Sequence, residues 1–330
     1  MRLISGDIGG TKTRMALLRV GEESVETLSE AQFPSGRFDR FEQIVALFLD
    51  GLEERADAAA FGIAGPVKGR VCNTTNLPWH IDADTIADTF AIPRVELLND
   101  LEATAWGISA LPDSDLVTLN EGASDARGNG AVIAAGTGLG EAGLFWNGRG
   151  FTPFATEGGH SDFSPRDELE FALLGYLQKR FGHVSWERVV SGPGLVDIFR
   201  FLLEHRRSEI SERIASRMQR EEPAAVIANE ADNEESPLCR EAMNLFIRLY
   251  GAEAGNLALK QMATGGLFIG GGIAPKILPW LVTGSFIEAF RAKGRMSELM
   301  ESMPVKVILN DRAALLGPAV YLSTSEKGPV

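Results

Sequence analysis

A polar pair of residues ends an apolar segment of the chain. Residues 95–98 (VELL) are predicted to form a buried strand, and Asn99 and Asp100 follow at once, before a helical pattern begins. Asn99 with Glu102 three residues later is a capping-box pattern, so a helix N-cap is the ordinary interpretation. A carboxylate at the carboxyl end of a parallel strand also lies where open α/β sheets bind ligands. Asp100 is therefore a candidate ligand-binding carboxylate.

Three further polar residues have the chemistry to hold a sugar. The segment ATEGGHSDF carries Glu157 and His160, and HVSWERVVSGPG carries Glu187. Ionised carboxylates can bridge neighbouring hydroxyl groups, and a neutral imidazole can both donate and accept a hydrogen bond. Each residue alone is more often an ordinary surface residue. Glu157-x-x-His160 could also ligate a metal, but two cysteines and four histidines argue against a dedicated zinc site.

A fourth candidate lies in the segment TTNLPW, residues 74–79, which follows a Gly-Pro loop. Asn76 and Trp79 could form one edge of a sugar site. An ordinary turn around Pro78 explains the same residues equally well, because proline favours turns. Asn76 is therefore kept as a candidate substrate ligand beside this alternative.

Three glycine-rich strand ends could bind a nucleotide. In GDIGGTKT the glycines allow close backbone approach, the N–H groups can form an anion cradle, and Asp7 suits a phosphate that carries Mg²⁺. GTGLG offers a second cradle through Thr137 and Gly138. GGG, residues 270–272, could let a flat base lie against the backbone. Any one of them could be a plain turn, but three in one chain favour a nucleotide site.

Two other nucleotide-binding motifs are excluded. The P-loop pattern G-x-x-x-x-G-K-[ST] does not occur in the sequence. Gly138, Gly140 and Gly143 satisfy G-x-G-x-x-G. The segment that follows, GLFWNG, has no helical pattern, so the Rossmann context is missing.

Composition and charge limit the partners. The chain has 330 residues, 45% of them hydrophobic, and a net charge of −13. This length predicts two domains, and the acidic charge argues against a nucleic acid or an anionic membrane as partner. No apolar run approaches the roughly 18 residues of a transmembrane helix, and the segment MRLISGDIGG does not resemble a signal peptide. We expect a cytoplasmic α/β protein.

Strand-like and helix-like segments alternate along the chain, which predicts an α/β fold. LISGDIGGTKTRMALL and VIAAGTGLGEAGLFW lie roughly 130 residues apart and share one plan, two apolar strands joined by a Gly-Thr turn. This repeat predicts two similar domains facing each other across a cleft. The pattern restarts near residue 111, which is the candidate boundary. Residues 204–235 are highly charged and predict solvated helix and loop.

Taken together, nine motifs resemble those of the bacterial glucokinases, hexokinase-type enzymes of the sugar kinase, Hsp70 and actin superfamily. In chain order they are GDIGGTKTRMAL, GIAGPV, TNLPW, LLNDLEATAWG, AAGTGLGEA, EGGHSDF, ERVVSGPGL, GGLFIGGGIAPK and LLGPAVYL. The resemblance covers nearly the whole chain. It is to the branch without zinc, because the zinc-binding relatives carry a cysteine-rich motif after EGGH that two cysteines cannot supply.

The resemblance implies two ribonuclease-H-like, actin-like ATPase domains around a central cleft, with ATP, Mg²⁺ and glucose as ligands and a homodimer as the assembly. The small domain would be residues 1–110 with the C-terminal helix, residues 310–330, and the large domain residues 111–309. Asp100 would be the catalytic base that accepts the proton of the sugar 6-hydroxyl. The substrate-binding residues would be Asn76, Asn99, Asp100, Glu157, His160 and Glu187. The cofactor-binding residues would be Asp7, Gly9, Gly10, Thr11, Thr137, Gly138, Gly271 and Gly272, with Asp7 near Mg²⁺ through phosphate or water.

Three residues depart from the family pattern. Lys12 stands where these glucokinases usually have Asn, Glu141 where a small apolar residue is usual, and Thr74 where Met is common. The departures bear on ATP affinity and sugar preference, not on the reaction.

Three alternative functions remain. The first is a kinase for mannose, fructose or an N-acetylhexosamine. The second is a sugar-sensing regulator, which would need a DNA-binding segment, and the third is an actin-like or chaperone-like ATPase, which would not need the sugar-binding residues.

Overall fold

The computed structural model describes residues 1–21, 25–52, 54–74, 77–233, 235–310 and 312–325. The density of contacts divides the chain into two compact units. Unit 1 consists of Met1–Asp115, Thr152–Ala155 and Asn310–Val330, and unit 2 of Leu116–Phe151 and Thr156–Leu309. The domain boundaries expected near residues 110 and 309 stay predictions.

Unit 1 is built on a five-stranded mixed sheet. Its elements are β1 (Arg2–Ile8), β2 (Lys12–Val20), β3 (Val25–Pro34), α1 (Phe41–Asp50), β4 (Ala58–Ile63), β5 (Val67–Lys68), β6 (Val71–Asn73), β7 (His80–Asp82), α2 (Ala83–Phe90), β8 (Val95–Asn99) and α3 (Asp100–Gly107). The strand order is β3-β2-β1-β4-β8. β1, β2 and β3 are antiparallel neighbours, whereas β4 and β8 run parallel to β1. The short strands β5, β6 and β7 form a separate sheet.

Both faces of the unit 1 sheet are covered. Successive residues of β1 point to opposite sides of the sheet, and residues on each side are buried. Ile4 is buried in a cluster with Phe41 and Phe48 of α1. Leu3 is buried in a second cluster with Leu315 from the last helix of the chain. The strands β1 and β4 therefore lie inside the unit, and only their ends reach the surface.

Unit 2 is built on a six-stranded sheet with helices. Its elements are β9 (Leu116–Asn120), β10 (Gly130–Ala135), β11 (Leu139–Trp146), β12 (Phe151–Thr156, of which Thr152–Ala155 are grouped with unit 1), α4 (Glu168–Phe181), α5 (Gly192–Arg206), α6 (Glu212–Met218), α7 (Pro223–Glu230), α8 (Pro237–Gln261), β13 (Gly266–Gly270), α9 (Leu278–Leu281), α10 (Ser285–Arg291), α11 (Ser297–Glu301) and β14 (Val305–Ile308). The chain closes in unit 1 with α12 (Arg312–Ser325). The strand order is β12-β11-β10-β13-β14-β9.

The long helix α8 forms the centre of the unit 2 core. It buries most of its length, including Phe246, Tyr250 and Leu257, and α5, α7 and α10 pack against it. The charged span 204–235 is less solvated than expected, because Ile214 of α6 and Val226 of α7 are buried in the same core.

The two large sheets share one topology. In each, a hairpin with a glycine turn (β1–β2 and β10–β11) is extended by one strand beside it and by two parallel strands on its other side. β9 is an additional antiparallel edge strand of the second sheet. The α/β fold class with two ribonuclease-H-like sheets is therefore confirmed, together with the internal repeat.

Candidate functional site

Asn99 is the last residue of β8, and Asp100 is the first residue of α3. Asn99 is the N-cap of α3, and its Oδ1 accepts hydrogen bonds from the N–H groups of Leu101 at 3.0 Å and Glu102 at 3.4 Å. Its amide Nδ2 donates to the carbonyl oxygen of Gly65 at 3.3 Å. The capping interpretation is therefore correct for Asn99. Because Asn99 caps the helix, Asp100, the first residue of the helix, is not needed as the cap.

The carboxyl group of Asp100 lies in an environment that disfavours its charge. Burial raises its pKa above the ordinary value, and the negative charge of Asp7 raises it further. The N–H of Leu101, which donates to Asp100 Oδ1 at 2.9 Å, acts in the opposite direction. A carboxylate with a raised pKa is a stronger base than an exposed aspartate, so Asp100 suits proton abstraction.

Glycines press α3 against its neighbours. A Cβ atom on Gly107 would lie 2.0 Å from the carbonyl oxygen of Ala313, and one on Gly317 would lie 1.7 Å from the carbonyl oxygen of Ala103. The backbones of α3 and α12 are thus in direct contact. A Cβ on Gly62 of β4 would lie 2.6 Å from Cβ of Ala103. The helix that begins at Asp100 has little freedom to shift.

Asp7 is paired with Arg14, which lies opposite it in the β1–β2 register. Arg14 donates to Asp7 Oδ2 from Nη2 at 2.9 Å and from Nε at 3.3 Å. Among the described residues, no group of three or more His, Cys, Asp or Glu side chains could hold a metal ion. A carboxylate such as that of Asp7 suits a Mg²⁺ ion that arrives with phosphate oxygens and water.

The first glycine turn is tied down by a buried serine. The N–H of Gly9 donates to the carbonyl oxygen of Lys12 at 3.0 Å and closes the turn, so in this conformation it does not point at a phosphate. Ser35 Oγ donates to the carbonyl oxygen of Gly9 at 2.8 Å and lies 2.9 Å from Oγ1 of Thr13. The N–H of Ser35 donates to the carbonyl oxygen of Thr11 at 3.1 Å. Gly10 and Thr11 lie at the tip of this fixed turn.

The second glycine turn joins β10 to β11 in unit 2. The N–H of Gly136 donates to the carbonyl oxygen of Gly138, and the N–H of Gly192, at the start of α5, donates to the carbonyl oxygen of Gly136, both at 2.9 Å. Glu187 Oε2 accepts a hydrogen bond from the N–H of Leu139 at 3.0 Å. Thr137 and Gly138 therefore lie directly beside a carboxylate that the sequence pattern assigned to the sugar.

The structure brings Glu157, His160 and Glu187 together. His160 Nε2 lies 3.8 Å from Glu157 Oε2, and His160 Nδ1 lies 4.0 Å from Glu187 Oε1. The side chain of Glu157 is 87% exposed, that of His160 61% and that of Glu187 27%. A Cβ on Gly159 would lie 2.1 Å from the carbonyl oxygen of Leu139, so the turn that carries Glu157 and His160 packs tightly on β11. Three polar groups thus face solvent within reach of one small ligand.

The third glycine segment lies beside the second turn. Gly271 has a φ of +83°, and a Cβ there would lie 2.5 Å from the carbonyl oxygen of Ala135, the last residue of β10. Within the described part of the chain, no heavy atom outside residues 271–273 lies within 4 Å of the Cβ position of Gly272. This leaves room for a flat group against the backbone. Asn76 lies outside the described residues.

Sequence reasoning missed two supporting residues. Arg14 could have been found, because Asp7 and Arg14 are equally distant from a hairpin turn between Gly9 and Lys12 and must therefore face each other. Ser35 could not have been found, because it follows β3 in the chain and carries no local motif.

No helix in the described ranges has the length and apolarity needed to cross a membrane.

Comparison with known proteins identifies close relatives of this chain. The sequence model of a family described as Glucokinase matches residues 4–325. A glucokinase from Synechocystis sp. is 41% identical over 350 residues, covering 98% of this chain and 99% of the relative. The crystal structure of a glucokinase from an Antarctic psychrotroph superposes with a TM-score of 0.88 at 31% identity, over 98% of this chain and 99% of that one. A glucokinase of the ROK family from Streptomyces griseus shares the fold, with a TM-score of 0.61 at 23% identity, over 97% of this chain and 98% of that one.

Proposed function

The chain belongs to the glucokinase family, and we propose how its own residues carry out the reaction of that family. The protein catalyses the ATP-dependent phosphorylation of glucose to glucose 6-phosphate. Phosphoryl transfer depends mostly on positioning of the reacting groups and on neutralisation of the phosphate charge. The observation that carries the assignment is the half-buried carboxyl of Asp100 at a fixed helix start.

Asp100 is the general base of this proposal. Its carboxylate accepts the proton of the glucose 6-hydroxyl as the oxygen attacks the γ-phosphorus of ATP. The bond from the γ-phosphorus to the β,γ-bridging oxygen breaks, and ADP leaves with that oxygen. The raised pKa supports this role, because a base is most effective when its pKa approaches the working pH. Asn99, locked as the N-cap of α3, offers its amide to a neighbouring sugar hydroxyl.

Glu157, His160 and Glu187 hold the hydroxyl groups of the sugar ring in this proposal. The distances from His160 to Glu157 and to Glu187, 3.8 and 4.0 Å, support it, because one hexose can then contact the histidine together with either glutamate. Asn76 is proposed as a further sugar ligand on its sequence motif alone. Holding the ring fixes the direction of the attacking oxygen, which is a main source of rate acceleration in such reactions.

ATP and Mg²⁺ are the proposed cofactors. The turn at Gly9, Gly10 and Thr11 and the turn at Thr137 and Gly138 would contact the phosphates, with Gly9 shaping its turn because its N–H is bonded to Lys12. Gly271 and Gly272 would receive the adenosine. The Streptomyces griseus relative was crystallised with glucose and the ATP analogue AMPPNP, which supports a nucleotide in this fold. Mg²⁺ would neutralise phosphate charge, with Asp7 near it, directly or through water.

The assembly and location are also proposed. The resemblance of the motifs to bacterial glucokinases supports a homodimer in the cytoplasm, where glucose phosphorylation would feed glycolysis. Light scattering of the purified protein during size-exclusion chromatography tests the assembly. A mass near twice that of the 35.6 kDa chain is expected, and the mass of a single chain would refute it.

The function is tested by measuring ADP production from Mg-ATP with glucose, mannose, fructose, N-acetylglucosamine or no sugar. ADP that appears only with a hexose, and fastest with glucose, is the expected result. A higher rate with another hexose would change the substrate. Equal ADP with and without sugar would indicate an ATPase, and no ADP under any condition would favour a sugar-sensing regulator with a kinase-like core.

A further inference from the structure

Two buried glutamates face each other inside unit 2. Glu141 of β11 is 2% exposed, and Glu253 of α8 is fully buried. The Oε1 atom of each carboxyl is buried and receives no hydrogen bond from any N–H or O–H group in the described part of the chain. The two side chains lie within hydrogen-bonding reach of each other. A single shared proton satisfies both orphaned oxygens, whereas two ionised carboxylates would repel each other there.

The surrounding groups decide which glutamate keeps the proton. Glu253 Oε2 accepts a hydrogen bond of 2.8 Å from Nδ2 of Asn256. Lys293 Nζ donates to Oδ1 of Asn256 at 2.6 Å, and this fixes the orientation of the amide because an ammonium group can only donate. Lys260 Nζ lies 3.8 Å from Glu253 Oε1. Glu253 is therefore the ionised partner, and Glu141 is the acid that donates to it.

The electrostatics agree with this assignment. Burial, followed by the charge of Glu253, raises the pKa of Glu141 to about 8. Burial also raises the pKa of Glu253, while Asn256 and the two lysines oppose that rise. Tyr250 on α8 also faces Glu141, and its Oη accepts a hydrogen bond from the N–H of Ala135. Lys260 acts on Glu141 in the opposite sense to Glu253. Burial lowers the pKa of Lys293 to about 8, with Arg166 adding to that effect.

Glu141 touches the turn that carries two of the proposed sugar ligands. A Cβ on Gly158 would lie 1.9 Å from Glu141 Oε2, so the carboxyl packs directly against the backbone between Glu157 and His160. The Oγ1 of Thr156 also donates to the carbonyl oxygen of Glu141 at 2.9 Å. The side chain of Glu141 is therefore in direct contact with this turn, and its backbone is hydrogen-bonded to the residue before the turn.

We propose that the proton-bridged pair of Glu141 and Glu253 positions the turn of residues 157–160 for glucose. Glu141 is thus a positioning residue, not a catalytic one, and this role rests on the proposed function of Glu157 and His160. When the shared proton is lost, the two buried charges repel each other and Glu141 moves against Gly158. The affinity for glucose then falls, while kcat and the KM for ATP are retained.

The test is the KM for glucose over a pH range that brackets 8, for the wild type, for Glu141→Gln and for Glu241→Gln. Glutamine at position 141 stays neutral and donates to Glu253 at every pH. Glu241 is a matched control on the same helix as Glu253, because its carboxylate pairs with Arg206 at 2.6 Å and not with another acid. We expect KM to rise above pH 8 in the wild type and in Glu241→Gln, by up to about tenfold per pH unit, and to stay flat in Glu141→Gln. Parallel profiles for all three proteins would overturn the positioning role.

Infrared spectroscopy reads the proton without relying on activity. At pH 7 the wild type and Glu241→Gln should show the carbonyl stretching band of a buried protonated carboxylic acid, and Glu141→Gln should lack it. The same spectrum in all three proteins would overturn the shared proton. A wild type that shows the band but makes no hexose-dependent ADP would refute the proposed function and with it the positioning role, while leaving the protonated pair in place.

Discussion

Glu187 accepts a hydrogen bond of 3.0 Å from the backbone N–H of Leu139, the residue that follows Thr137 and Gly138. The same carboxylate has its other oxygen 4.0 Å from His160. One side chain thus contacts both the proposed phosphate turn and the proposed sugar ligands of unit 2. Its position should couple the affinities for the two substrates.

The contact at Gly138 provides a test of that coupling. A Cβ atom on Gly138 would lie 2.4 Å from Glu187 Oε2, so Gly138→Ala should displace the carboxylate and raise KM for glucose and for ATP together, each by roughly tenfold for a loss of about 1.4 kcal/mol. Steady-state kinetics measures both constants. Gly150→Ala is the matched control, because nothing in the described chain outside residues 149–151 lies within 4 Å of its Cβ position. A rise in one constant alone would show that the two sites are independent.

The contact between α3 and α12 should be intolerant of a single methyl group. Gly317→Ala would place Cβ 1.7 Å from the carbonyl oxygen of Ala103. We expect a loss of about 1–3 kcal/mol in the free energy of unfolding, measured in urea, together with a lower kcat because the start of α3 carries Asp100. Gly175→Ala in α4, where the Cβ position is open, should instead be neutral or stabilise by about 0.5–1 kcal/mol. Equal stability of the two variants would refute the close contact.

The sequence predicts most of the fold, but it does not predict the contacts that hold the residues of the candidate site in place. The glycine hairpins, the strand before Asn99 and the α/β class follow from hydrophobic period and turn residues, which act locally. The contacts of Ser35 with Gly9 and of Glu141 with Glu253 join elements far apart in the chain, and no local pattern specifies them. Glu141 could be recognised as unusual in the sequence, but only the packing of β11 against α8 shows why it is tolerated.

Stability should depend on pH through Glu141. Its pKa is about 8 in the folded chain and lies near its ordinary value of 4.5 when unfolded. Between these values the unfolded state binds fewer protons, so the wild type loses stability as the pH rises, by roughly 1 kcal/mol per pH unit. Glu141→Gln removes this loss. Its stability advantage over the wild type should therefore be small near pH 5, grow up to about pH 8 and level off above.

Denaturant unfolding of both proteins across that pH range gives the difference directly. Glu241→Gln, whose carboxylate is partly exposed and paired with Arg206, should follow the wild type. A constant difference between Glu141→Gln and the wild type at all pH values would mean that Glu141 is ionised in the folded protein throughout.

Asp100 lies between the end of β8 and the start of α3. The sequence could identify Asn99 as the cap and Asp100 as its neighbour, since both follow from residue type and spacing. Burial and the nearby charge of Asp7, which raise the pKa of Asp100, depend on strands that are far apart in the sequence. These features suit Asp100 to act as a base, and they require a direct kinetic test.

The most direct test is kcat for glucose phosphorylation by Asp100→Asn, with glucose binding followed by tryptophan fluorescence. Asparagine keeps the shape of the side chain but does not accept the proton, so we predict a fall in kcat of about 10²- to 10⁴-fold with glucose affinity largely retained. Asp88→Asn, at an exposed position in α2, should match the wild type. If Asp100→Asn keeps kcat within a few-fold of the wild type, Asp100 is not the base and the proposed mechanism of phosphoryl transfer is wrong.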